Sequence, residues 1–161
     1  MTITPETLLD IHEITTLKYR YGRCLDNRLW EEFGATLSVD ATARYGTVTQ
    51  GEHLHFDGRD AIVGYMSESL AGSIVSTHTF SNPEITVDGD TATGSWSMSD
   101  IVIAPEYDTV ITGTSYYSDR YRKIEGRWHI SHTEYYRLYE AVSPMSASGM
   151  QLIANRWTNP H

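Results

Sequence analysis

The sequence predicts an α+β fold: one curved antiparallel sheet wrapped around N-terminal helices, with a pocket at its mouth. Three observations predict it. Apolar residues first recur at spacings of three and four, over residues 5–26 and 59–70. After residue 74 the period changes to two and holds for four long segments. Hairpin signals, Asp88-Gly89-Asp90 and Glu125-Gly126, join two pairs of those segments. A meander of this kind has one face to bury, and the helices supply the cover.

Taken in order, Thr4 can cap the first helix, Pro5 fits its first position and Glu6 suits the positive end of its dipole. Leu8, Ile11, Ile14, Leu17, Tyr21 and Leu25 make one apolar stripe that runs out at Asp26. Asn27 is placed to cap a second, short helix carrying Leu29, Trp30, Phe33 and Leu37. In a first strand Ala41, Ala43 and Tyr45 share one face, Thr42 and Arg44 the other. Gly46 and Gly51 punctuate a turn-rich passage to Gly58. A third helix over 59–70 places Ala61, Ile62, Tyr65, Met66 and Leu70 on its apolar side. Strands follow at 74–87, 91–104, 109–123 and 127–139. The Ser- and Met-rich residues 144–161 read as a tail or lid, and no repeat or break in composition divides 1–161, so a single domain is expected.

Composition narrows the function. A net charge of −9, with no run of Lys and Arg, opposes phosphate backbones and anionic membranes, so neither nucleic acid nor lipid is expected as a partner. The N-terminus lacks the basic and apolar regions of a signal peptide, and no apolar run is long enough for a membrane span. The lone Cys24 excludes an internal disulfide and suits a reducing cytoplasm; inside a helical pattern it reads as small core filler. His53 and His55 could share a strand face, but a third metal ligand is not evident, and there is no phosphate loop, dinucleotide fingerprint or Gly-x-Ser-x-Gly elbow. No metal and no cofactor is expected. Glu31 and Glu32 read as a solvated helix face.

Strand parity supplies the candidate site. Ile74, Ser76, His78 and Phe80 share a face, which sets a histidine among hydrophobes. It is either a core histidine satisfied by a backbone carbonyl or, with a carboxylate partner, a general base. Trp96, Met98, Asp100 and Val102 share a face, so Asp100 interrupts an apolar wall. It must be hydrogen-bonded, protonated or exposed at a cavity, unless a bulge turns it to solvent. Trp128, Ile130, His132 and Tyr136 share a face in the last strand, and Val110, Thr112, Thr114 and Tyr116 form a mixed face in the one before it. Tyr21 and Tyr45 either pack in the core or offer their hydroxyls to a ligand. The candidate catalytic set is His78, Asp26, Tyr45 and Asp100; the candidate substrate-binding set is Tyr21, Trp96, Met98, Tyr116 and His132.

Tyr21 to Asp26, Trp30 and Phe33, Asp40, Tyr45-Gly46, a His in the strand after the third helix, and the closing segment from Tyr121 to Ile130 together resemble the NTF2-like, or SnoaL-like, superfamily over nearly the full length. The resemblance implies a cone-shaped α+β fold. Its nearest pattern is the group of bile-acid 7α-dehydratase, scytalone dehydratase and hexachlorocyclohexane dehydrochlorinase, which pairs an Asp at the end of helix one with a His on the sheet; Asp26 and His78 match that dyad. Tyr21, Tyr45 and Asp100 match three further pocket residues of the bile-acid enzyme in type and order. The resemblance implies a cofactor-independent, dehydratase-type lyase acting on a small hydrophobic cyclic molecule such as a steroid, polyketide or aromatic precursor. In that scheme Asp26 orients His78, a tyrosine binds the enolate oxygen, and a protonated Asp100 donates to the leaving hydroxyl. An isomerase or polyketide cyclase would use the same proton abstraction. A non-catalytic subunit, like the small subunit of ring-hydroxylating oxygenases, would use none of it. A homo-oligomer, trimer or dimer, is expected through the outer sheet face.

Overall fold

A computed structural model describes residues 3–46, 51 and 53–159 of the chain. Helix α1 spans Pro5–Asp26, and the Thr4 hydroxyl accepts the Thr7 N–H at 3.2 Å as its cap. Its buried side starts later than the stripe suggests: Leu8 is exposed, and Ile14, Leu17, Tyr21, Cys24 and Leu25 carry the burial, with Lys18 enclosed among them. Gly22 lets the helix approach the sheet, since a Cβ there would lie 2.7 Å from the Phe80 ring. Asn27 does not cap the second helix. Its side-chain amide donates to the Arg23 carbonyl at 2.7 Å and closes α1, and Arg28 at φ +54° then turns the chain. Helix α2 is Trp30–Ala35, and Leu37 opens the first strand instead of ending that helix.

The sheet comprises β1 (Leu37–Tyr45), β2 (Leu54–Asp57), β3 (Val75–Asp88), β4 (Thr91–Ala104), β5 (Thr109–Ile124) and β6 (Arg127–Pro144), in the order β2-β1-β6-β5-β4-β3. It is unclosed and mixed, not wholly antiparallel, because β1 runs parallel to β6. Helix α3, Arg59–Ser69, enters between β2 and β3. Strand β2 was not foreseen; it lies in the expected turn-rich passage, of which residues 47–50 and 52 fall outside the described residues. Among the described residues no helix is long and apolar enough to cross a membrane.

Parity in the last two strands differs from the simple alternation. The β4–β5 hairpin pairs Trp96 with Tyr117, Met98 with Ser115 and Asp100 with Gly113. Directly opposed residues share a face, so the odd residues of β5 turn inward and Tyr116 turns out, 46% exposed. In β6 the pairing steps from Tyr121↔Ile130 to Arg120↔His132, leaving Ser131 unopposed, and again from Ser115↔Arg137 to Thr114↔Tyr139, leaving Leu138 unopposed. Each extra residue inverts the alternation. Trp128 and Ile130 face the core as expected, but after the first bulge Thr133, Tyr135 and Arg137 do so, and His132 and Tyr136 do not.

After β6 comes the short helix α4, Met145–Ser148. The chain then returns to the end of α1. The Asn155 amide donates to the Ser73 carbonyl at 2.8 Å, and the Trp157 ring stacks 4.1 Å from the Arg28 guanidinium, which itself donates to the Gly72 and Ile74 carbonyls. Within the described residues the expected tail is therefore a docked strap beside residues 27–28.

Candidate active site

Asp26 is the last residue of α1, where the helix dipole disfavours a carboxylate. Three donors from β3 offset this: the Ser76 hydroxyl at 2.9 Å, the His78 backbone N–H at 2.7 Å and the His78 ring at 2.7 Å. Of the two readings of His78, the carboxylate partner is the one present. With Asp26 as acceptor, Nδ1 carries the proton and Nε2 keeps its lone pair. Ser76, which reads as an ordinary strand residue in the sequence, is a second anchor of the carboxylate.

His78 lines a cavity of about 150 Å³ together with Tyr45, Met98, Asp100, Tyr117 and Arg137. Tyr45 and Tyr21 share a hydroxyl–hydroxyl hydrogen bond of 3.0 Å, so Tyr21 stands behind the wall and meets the cavity only through Tyr45. Asp100 points inward, as parity predicts, and is 5% exposed. Arg137 grips it through Nη1 at 2.6 Å and Nη2 at 2.8 Å, a fork in which both Asp100 oxygens accept, the geometry of a guanidinium–carboxylate pair and a different environment from the apolar one the expected scheme assumed. Burial opposes the Arg137 charge, and the bonds to Asp100 outweigh it, so the guanidinium is held above its usual range. Glu140 approaches the same side chain, 3.2 Å from Nε. Gly113 makes the fork possible, because a Cβ there would lie 2.6 Å from Arg137 Nη1.

Three of the expected binding residues lie elsewhere. Trp96 is fully buried and its indole N–H donates to the Tyr121 hydroxyl at 2.9 Å; it is core, outside the cavity lining. Tyr116 faces out. His132 shares a 2.6 Å hydrogen bond with Thr42 on the outer side, its ring turned there by the bulge at Ser131. Of the other candidates, Cys24 is enclosed, and burial pushes its thiol up. His53 packs on Gly46, and among the described residues no group of three potential ligands comes together for a metal.

Sequence reasoning missed Arg137, Tyr117, Tyr135 and Lys18. The register of the β4–β5 hairpin would have placed Tyr117 opposite Trp96; nothing local signals the bulge at Ser131 that brings in Tyr135 and Arg137. Lys18 is fully buried, with its ammonium 2.7 Å from Asp119 and over the rings of Tyr117, Phe80 and Tyr21 at 3.9, 4.7 and 4.6 Å. Asp119 also accepts from the Tyr121 hydroxyl at 2.8 Å.

Burial, with Asp119 or neighbouring tyrosines adding to it, holds the hydroxyls of Tyr21, Tyr45, Tyr117 and Tyr121 well above the usual tyrosine range. A raised folded-state value means stability that is intact up to about pH 10 and is lost as pH climbs toward the folded values, because the unfolded chain releases protons the folded chain keeps. Each such tyrosine steepens the loss by about 1.4 kcal/mol per pH unit. An alkaline unfolding step is expected, with tyrosinate absorbance and loss of circular dichroism rising together. Tyrosinate appearing smoothly from about pH 10 in a chain that stays folded would contradict the burial.

A model of the SnoaL-like domain matches residues 6–134. A candidate scytalone dehydratase of Novosphingobium aromaticivorans superposes with a TM-score of 0.76 at 20% identity, over 86% of this chain and 91% of its own. The LinA-type3 hexachlorocyclohexane dehydrochlorinase of Novosphingobium barchaimii LL02 gives 0.76 at 15% identity, over 91% and 96%. A protein of unknown function with a cystatin-like fold from Nostoc punctiforme gives 0.65 at 22%, over 85% and 95%. At these identities the structural likeness concerns the fold.

Proposed function

The chain belongs to the SnoaL-like domain family, and from that premise we propose that it is a cofactor-independent lyase removing water, or a halide, from a small one-ring substrate. The observation that carries this is the Asp26–His78 pair at the wall of an apolar cavity. Nε2 takes a proton from carbon beside a carbonyl or similar activating group. The C–H electrons become the new double bond as the carbon–oxygen bond breaks. The imidazolium just formed returns its proton to the departing hydroxide, so water leaves and His78 is neutral again; a departing halide would instead leave the proton to solvent. Asp26 fixes the tautomer and balances the imidazolium charge. The Tyr45 hydroxyl, relayed from Tyr21, is the donor to oxygen charge that develops in the transition state. Asp100 and Glu140 share Arg137, and the three shape the polar wall, with no proton transfer assigned to Asp100.

Volume selects the substrate class. A cavity of about 150 Å³ holds a body the size of benzene. A single aromatic or alicyclic ring fits; a steroid would fill it with one ring and leave the others outside. The test is a panel of one-ring β-hydroxy and β-halo carbonyl compounds followed by mass spectrometry. Loss of one water or one hydrogen halide supports the lyase, an isomer of unchanged mass replaces it with an isomerase, and no turnover of any member removes the enzyme reading. With an active substrate, Asp26→Asn is expected to reduce kcat by about 10²-fold or more with KM little changed, since it leaves shape intact and misorients the ring. An unchanged kcat would remove Asp26 from the mechanism.

A further inference from the structure

Away from the dyad, a groove of about 570 Å³ lies where α1, α3 and the start of β6 meet. It shares no lining residue with the cavity at His78. Arg20 of α1, Arg59 of α3 and Arg127 of β6 all line it, joined by His12 and His129, and Glu13 is its one carboxylate. Three of the chain's twelve Lys and Arg residues thus converge on one concavity of a protein whose net charge is −9. They are dispersed in sequence, so composition, which argues against nucleic acid and lipid, gives no sign of them.

The three arginines of this groove are not equivalent. Arg59 is held in place: Nε and Nη2 donate to the Leu37 carbonyl at 3.1 and 2.8 Å, which fixes the guanidinium without neutralising it. Arg20 and Arg127 are exposed and form no ion pair among the described residues; Arg28, Arg44, Arg120 and Arg156 form none either, so it is their convergence with Arg59 on one groove that sets Arg20 and Arg127 apart. A dianion in the groove would supply the counter-charge that Arg20 and Arg127 do not find in a described carboxylate. Guanidinium forks match the oxygens of phosphate in pairs. Leu17 and Trp128 add an apolar side for an organic body. We propose that this groove is a second binding site, distinct from the dyad, for a small molecule bearing a phosphate group. It does not rest on the lyase reading, and either can fail without the other.

Calorimetric titration of the full chain tests it, with pyrophosphate and phenyl phosphate as probes and citrate as the carboxylate control, all at matched ionic strength. Saturable one-site binding of a phosphate probe is expected, weakened about tenfold or more in R20Q/R127Q, while Asp26→Asn binds as the parent does. Circular dichroism confirms that R20Q/R127Q is folded. No saturable heat with either phosphate probe, equal affinity in R20Q/R127Q, or binding of citrate alone would each overturn the phosphate assignment.

Discussion

His78→Ala is expected to lower turnover by about 10³–10⁴-fold while the melting temperature stays within a few degrees of the parent. The reasoning starts from the ring's surroundings. Its Nδ1 is committed to Asp26, so the only basic atom offered to the cavity is Nε2. Among the other groups lining that cavity, Asp100 and Glu140 are both engaged by Arg137, and the Tyr45, Tyr117 and Tyr135 hydroxyls are held far above neutral pH by burial. The side chain is 12% exposed and lines the cavity, so its loss enlarges a space that water can enter. Asp26 keeps two donors, the Ser76 hydroxyl and the backbone N–H of residue 78, so the carboxylate is not stranded. Activity and stability therefore separate in this variant. His78→Gln tests shape further, since it keeps a polar side chain without basicity and should be equally inactive. Parent-like turnover in His78→Ala would end the proton-abstraction scheme.

The dyad was legible in the sequence because each partner is placed by local rules. Asp26 lies where a helical stripe ends, and His78 is set inward by strand alternation over a few residues. Tyr45 follows from alternation in β1 in the same way. The family resemblance joined these local facts into a pair. Asp100 shows the limit of that reasoning: its direction was readable, but its chemistry depends on Arg137, which is turned inward in β6 by the bulge at Ser131. His132 was lost to the same bulge, and Tyr116 to the register of the β4–β5 hairpin. Alternation is reliable only between irregularities, and irregularities are set by pairing between strands. Lys18 was passed over for another reason. A lysine on an apolar stripe ordinarily carries its charge to water, and its burial here is explained by Asp119, a residue on another element about a hundred positions away.

That pair supports the second large effect. Lys18 and Asp119 have fully buried side chains 2.7 Å apart, and burial lowers the lysine's proton affinity while Asp119 supports it. Removing one partner leaves a charge in the core with no counter-charge, so Lys18→Met and Asp119→Asn are each expected to cost about 3–5 kcal/mol. For a chain of this size that is a drop in melting temperature of about 6–20 °C. Removing both charges is a different perturbation. In K18M/D119N the methionine fills the space between the Tyr21, Phe80 and Tyr117 rings, and the asparagine oxygen still accepts from Tyr121. No charge is then buried, and the double variant should be more stable than the sum of the singles by at least about 2 kcal/mol. The rings that enclose Lys18 include Tyr117 of the cavity wall and Tyr21 behind Tyr45, so the pair also supports the floor beneath Tyr45, the proposed substrate donor. A stable K18M/D119N that turns substrate over slowly would show that the buried charges serve that floor, whereas parent-like kinetics would confine them to folding. Simple additivity of the two single losses would show that the two charges do not stabilise each other in the folded chain.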